Sequence, residues 1–135
     1  MKAKKSKSAD FHTTIVNALN AYAHIPEMKT DGSTFEKRKI KLSAFSSDKT
    51  QLTITGGGSD AIPYFILPGN IRKVYLRKDR DYDKIILVGT VLIGEGVNSW
   101  DQYKLNIYLK GYPSNSEIPH QLKNAFNALR NGTGK

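Results

Sequence analysis

The chain has 135 residues, 39% of them hydrophobic and 24% charged, with no cysteine and a net charge of +9. This length suits one domain with its own core, and the missing cysteines exclude disulfides, thiolate zinc sites and cysteine nucleophiles. No apolar run approaches the roughly 20 residues that cross a bilayer.

The charge is unevenly placed. Lys2, Lys4, Lys5 and Lys7 precede the first acid, which leaves +5 from Asp10 onward. Residues 1–9 therefore read as a basic flexible tail ahead of a single α+β domain over 10–135. A charged start with no apolar stretch behind it points to the cytoplasm, or to the periplasm if a leader has been removed.

From Asp10 to about His24 the pattern is an amphipathic helix. Asp10 is a candidate N-cap, and Phe11, Ile15, Ala18, Leu19 and Tyr22 share one face. Pro26 is read as its stop. Glu27 to Thr34, containing Asp31-Gly32, reads as a loop.

Alternation then replaces helical spacing. Over Lys39–Phe45, Ile40, Leu42 and Ala44 share one face, with Lys39, Lys41 and Ser43 on the other. Ser46–Lys49 reads as a turn before Leu52 and Ile54. Gly56-Gly57-Gly58-Ser59-Asp60 reads as a mobile connection into the extended run Ile62–Leu67. It lacks the following helix that a phosphate loop needs.

Pro68-Gly69-Asn70 is a turn signal. In Ile71–Lys78, Val74 and Leu76 face one way and Lys73, Tyr75 and Arg77 the other. Asp79–Lys84 reads as a charged hairpin loop. Asp79, Asp81 and Asp83 resemble the start of a calcium loop, but Lys84 and Thr90 stand where the glycine and glutamate belong, so no metal is expected.

Ile85–Ile93, apolar almost throughout, is the expected most buried strand. After Gly94-Glu95-Gly96, Trp100 falls in a predicted loop, either as an exposed binding anchor or as a plug for a barrel end. Tyr103, Leu105, Ile107 and Leu109 alternate with Lys104, Asn106 and Tyr108. The last helix runs from about Ile118 to Asn131, with Ser116 as a cap, Pro119 in its first turn and Asn131-Gly132 as its stop.

A helix, about six or seven strands and a helix, without alternating βα units, imply an antiparallel sheet or barrel. His12, His24 and His120 lack a nucleophile or acid at diagnostic spacing, and no catalytic residue or cofactor is expected.

The stretch from about Ile62 to Arg130 resembles a pleckstrin-homology-like (PH-like) domain. The resemblance is carried by Ile62-Pro63-Tyr64-Phe65-Ile66-Leu67, by Ile71-Arg72-Lys73-Val74-Tyr75-Leu76, and by a closing helix with Leu122, Ala125, Phe126 and Leu129. Small bacterial proteins of unknown function share this layout with an added N-terminal helix. The resemblance implies a bent barrel capped by the last helix, and a non-catalytic module that binds a protein, a peptide or an anionic headgroup at a membrane surface. Lys37, Arg38, Lys39, Lys41 and Lys49 lie in the region that corresponds to the family's basic first hairpin.

Nucleic acid is the rival partner. An outward stripe of Lys73, Tyr75 and Arg77, with Lys104 and Tyr108, interleaves cations with aromatic rings, a pattern suited to phosphates and stacked bases and equally to a solvated sheet face. The candidate ligand-binding residues are therefore Lys37, Arg38, Lys39, Lys41, Lys73, Tyr75, Arg77 and Trp100. Oligomeric state is left open.

Overall fold

A computed structural model describes residues 10–28, 35–58 and 61–132. The lysine tail and Asp31-Gly32 lie outside them.

Helix α1 covers Phe11–Tyr22, and the Asp10 carboxylate accepts from the Thr13 amide at 3.1 Å, as an N-cap should. Ile15 and Leu19 are fully buried on one face. The helix ends two residues earlier than the apolar spacing suggests, because Ile25 precedes Pro26 and is biased away from helical dihedrals. Ala23–Met28 becomes strand β1 instead, which corrects the loop expected from Glu27.

Strands β2 (Phe35–Lys39) and β3 (Leu42–Phe45) replace the single strand expected over Lys39–Phe45. Next come β4 (Leu52–Thr55), β5 (Pro63–Ile66), a short 3-10 turn over Pro68–Asn70, and β6 (Lys73–Asp79). Strand β7 (Tyr82–Ile93), strand β8 (Trp100–Leu109) and helix α2 (Ile118–Arg130) complete the chain. Asp79 pairs with Tyr82, so the charged hairpin has only a two-residue tip, with Arg80 at φ +58. Trp100 opens β8 and is not in a loop. Glu117, not Ser116, precedes α2, and the Ser116 hydroxyl is buried without a partner.

The strands form one antiparallel sheet in the order β2-β1-β8-β7-β5-β4-β3, with β6 also on β7. The two ends of that order are consecutive in the chain. Ile40 N–H donates to Ala23 O of β1 at 3.1 Å, and Lys41 N–H donates to Thr55 O of β4 at 2.8 Å. Ile40 and Lys41 thus stitch one edge to the other and curl the sheet on itself. This is the α+β architecture with a strongly bent antiparallel sheet that the strand order implied.

Long β7 is shared along one edge. Its first half pairs with β6 and its end with β5, and the switch falls at a bulge between Val88 and Val91. Gly89 sits in that bulge at φ +152, where a Cβ would lie 2.5 Å from Asn70 O. Only glycine fits there.

The inner face of the curl supplies the core with Ile25, Leu52, Ile54, Ile66, Ile85, Leu87, Leu105 and Ile107. Ile15 and Leu19 of α1, and Leu122, Phe126 and Leu129 of α2, which packs against α1, join it. Along β7, Ile85, Leu87, Val91 and Ile93 are buried while Leu92 is exposed. The run is therefore one-sided, not buried throughout, because no element covers its outer face among the described residues.

Candidate functional site

The outer face of the sheet carries a continuous line of residues. Arg77 on β6 opposes Lys84 on β7, Lys84 opposes Tyr108 on β8, Tyr108 opposes His24 on β1, and His24 opposes Lys39 on β2. Two-residue periodicity places Lys73 and Tyr75 of β6, Lys104 of β8 and Lys37 of β2 on the same side. Lys37, Lys39, Lys73, Tyr75 and Arg77, separate in sequence, thus share one face.

The rings of Tyr82 and Tyr108, edge-to-face at 5.7 Å, form a cushion for the cations. Lys37 Nζ lies 4.7 Å from the Tyr108 centroid and 5.3 Å from that of Tyr82. Lys84 Nζ is 5.6 Å from Tyr108, and Lys110 Nζ is 5.2 Å from Tyr82. Each such contact contributes about 0.5–1 kcal/mol near a surface. Among the described residues one ion pair touches this cluster, with Asp79 Oδ2 3.8 Å from Lys84 Nζ. Three ammonium groups converge on two rings with one carboxylate between them, which is a field that attracts anions.

Two titratable groups record that environment. Burial pushes the His24 imidazole below its ordinary value, and Lys39 and Lys110 push it the same way, against the Tyr22 and Tyr108 carbonyls. Burial also raises the Tyr108 phenol, with the Asp79 charge adding to it. Tyr108 is only 8% exposed, so it supports lysines and offers no open ring to a base. Tyr75 is half-buried, with Arg77 Cζ 4.8 Å from its centroid.

Open rings lie next to this face, where β1 leaves β8. Lys110 N–H donates to Tyr22 O on one side of the chain, and Ile40 N–H to Ala23 O on the other. Even-numbered residues of β1 therefore direct their backbone groups toward β8. After His24 the next is Pro26, which has no N–H to donate, and the β1–β8 ladder ends at His24↔Tyr108. β2 continues to pair with β1 through Met28.

The result is a slot of about 720 Å³ between the β1–β2 pair and β8, lined by Pro26, Phe35, Tyr64, Trp100, Tyr103 and Asn106 among others. Phe35, Trp100 and Tyr103 are 65%, 51% and 68% exposed at its rim. Asn106 also lines it, and its Oδ1 atom is buried without a hydrogen-bond partner among the described residues. Burial pushes the Tyr64 phenol up to about 12, helped by the charge of Glu27.

Glu27 explains the glycine run. Its buried carboxylate accepts from the Gly58 amide at 3.0 Å. A Cβ on Gly56 would lie 2.0 Å from Glu27 Oε2, and one on Gly57 2.0 Å from Lys39 O. The segment read as a mobile connection is, at Gly56–Gly58, a close packing of backbone against β1 and β2.

The remaining candidates lie elsewhere. Arg38 points away from Lys37 and Lys39, pairs with Glu36, and has a buried Nε without a partner. Lys41 is at the hinge between β2 and β3. His12 meets the Phe45 ring edge-to-face at 4.7 Å, while His24 faces Tyr82. Among the described residues no three His, Asp or Glu side chains gather as metal ligands, and no helix is long and apolar enough to cross a membrane. A larger cavity of about 810 Å³ beside His12, Asp48, Lys49 and Arg130 mixes both charges, and the Asp48 carboxylate is already taken by Ser46 and Thr50.

Local pattern does not single out Lys84 and Lys110, because one falls in the charged hairpin stretch and the other follows the last alternating residue. Nor does it reveal the slot, because Pro26 reads as a helix stop. The chain matches no family model, no curated protein and no solved structure.

Proposed function

We propose that this protein is a non-catalytic module that binds single-stranded nucleic acid on the outer face of its sheet. The observation that carries the reading is the cross-strand line from Arg77 through Lys84, Tyr108 and His24 to Lys39, flanked by Lys37 and Lys110. Cations on β2, β6, β7 and β8, set along a line that crosses five strands, suit an extended chain of phosphates better than one compact anion. The exposed rings of Phe35, Trp100 and Tyr103 beside them suit unpaired bases, which present π-faces whatever their identity.

A low-salt titration with a labelled single-stranded oligonucleotide tests this. Binding should weaken steeply as salt is added, because neutralised phosphates release counterions. Lys37→Glu combined with Lys84→Glu should abolish it. The same titration with anionic lipid vesicles examines the headgroup reading that the PH-like resemblance implies. Vesicle binding without oligonucleotide binding would overturn the proposal.

A further inference from the structure

We infer that the slot between β1 and β8 is a nucleobase pocket, which receives one base of a strand whose phosphates lie on Lys37 and Lys104. The inference rests on the nucleic-acid reading and names where sequence-independent phosphate contact gives way to contact with a base.

Pro26 opens the slot. Since it cannot donate toward β8, the edge of β8 beyond Tyr108 has no strand partner among the described residues, and Asn106 is the first position on that edge. The Asn106 C=O there lacks the N–H that a residue other than proline would offer it across the pair. Its side-chain Oδ1 adds a second acceptor, buried and without a partner. A buried polar atom left unpaired costs about 1–3 kcal/mol, which a ligand N–H recovers. Every common base except thymine and uracil carries an exocyclic amine, and all present ring or exocyclic donors beside acceptors.

The walls fit a planar aromatic guest. Phe35 stands on the β2 side, Trp100 and Tyr103 on the β8 side, and Ile25, Ile93 and Leu105 lie beneath. A volume of about 720 Å³ falls within the range of small-ligand sites, mostly apolar with a few convergent polar groups. Cations flank the slot on both sides. Lys104 lines it directly, and Lys37 opposes Pro26 in the β1–β2 register. A neutral apolar guest would leave those charges unused, whereas a nucleotide uses the rings, the buried acceptor and the lysines together.

Trp100 is the chain's only tryptophan, so its fluorescence reports on the slot alone. The probes are a single-stranded DNA oligomer and an abasic phosphodiester of the same length, titrated at low salt. The base-bearing oligomer should quench Trp100 and bind at least about fivefold tighter, which corresponds to the lower end of base–aromatic stacking, about 1 kcal/mol. Phe35→Ala with Tyr103→Ala, both at exposed rim positions, should bring that affinity down to the abasic level and leave abasic binding unchanged. Equal affinity for the two oligomers, or binding without quenching, would overturn the pocket and leave the phosphate-binding face standing. No binding of either oligomer would overturn both.

Discussion

Asn20 on α1 and Ser43 on β3 are joined by three hydrogen bonds. The Asn20 Oδ1 accepts from the Ser43 amide at 2.6 Å and from its hydroxyl at 2.9 Å, while Nδ2 donates to the Ser43 carbonyl at 3.3 Å. One side chain thus acts as a substitute strand edge for β3, which among the described residues pairs only with β4. Ser43 is 2% exposed while Leu42 is 54% exposed, the reverse of the facing expected from their hydrophobicity.

Asn20→Ala should therefore be costly. It would leave the buried amide and hydroxyl of Ser43 unpaired, at about 1–3 kcal/mol for each unsatisfied group before relaxation. Urea unfolding should show a fall in midpoint with unchanged slope. A midpoint equal to wild type would show that water replaces Asn20 without loss.

Gly57→Ala and Gly69→Ala should separate cleanly. At Gly57 the new Cβ meets the Lys39 carbonyl at 2.0 Å, an atom of strand backbone that cannot step aside, whereas at Gly69 it meets nothing within 4 Å. The first should lose about 1–3 kcal/mol, as overpacking does. The second should stay within about 0.5 kcal/mol of wild type. Thermal melts of both variants check the difference.

Stability should fall as the pH drops through the histidine range. His24 is depressed by burial, Lys39 and Lys110, and His12 by burial and Lys49. Below the ordinary value of 6.5 the unfolded chain binds the proton more readily than the folded one, so acid favours unfolding. The contribution is fully present above that value and is lost on going down toward the depressed folded values. H24Q should flatten part of this slope in melts taken between about pH 7 and 5.

Salt dependence should count the phosphates that the outer face holds. A single-strand slope of about −0.7 per neutralised phosphate predicts that K37Q and K84Q each make the log–log slope shallower by about 0.7. K41Q, at the β2–β3 hinge, should leave it unchanged. Fluorescence anisotropy over a salt series measures all three slopes.

Much of this was legible in the sequence because it depends on local pattern. Apolar spacing in Phe11–Tyr22 and Ile118–Arg130 requires two helices, and alternation in Lys73–Asp79 and Leu105–Leu109 requires half-buried strands. The placing of Lys73, Tyr75 and Arg77 on one outward face follows from the same periodicity. Local pattern misled where a distant partner changed the balance. Ser43 is buried because Asn20 satisfies it, and Gly56-Gly57-Gly58 is held because Glu27 and Lys39 lie against it.

The sequence by itself determined the α+β class, the antiparallel strands and a surplus of positive charge. Only the tertiary structure decided which cations share a face, since Lys39, Lys84 and Arg77 come onto one side through the pairing of five strands. It also decided the slot. A proline ends whichever ladder its missing N–H faces, and which ladder that is depends on the strand that curling brings to its side.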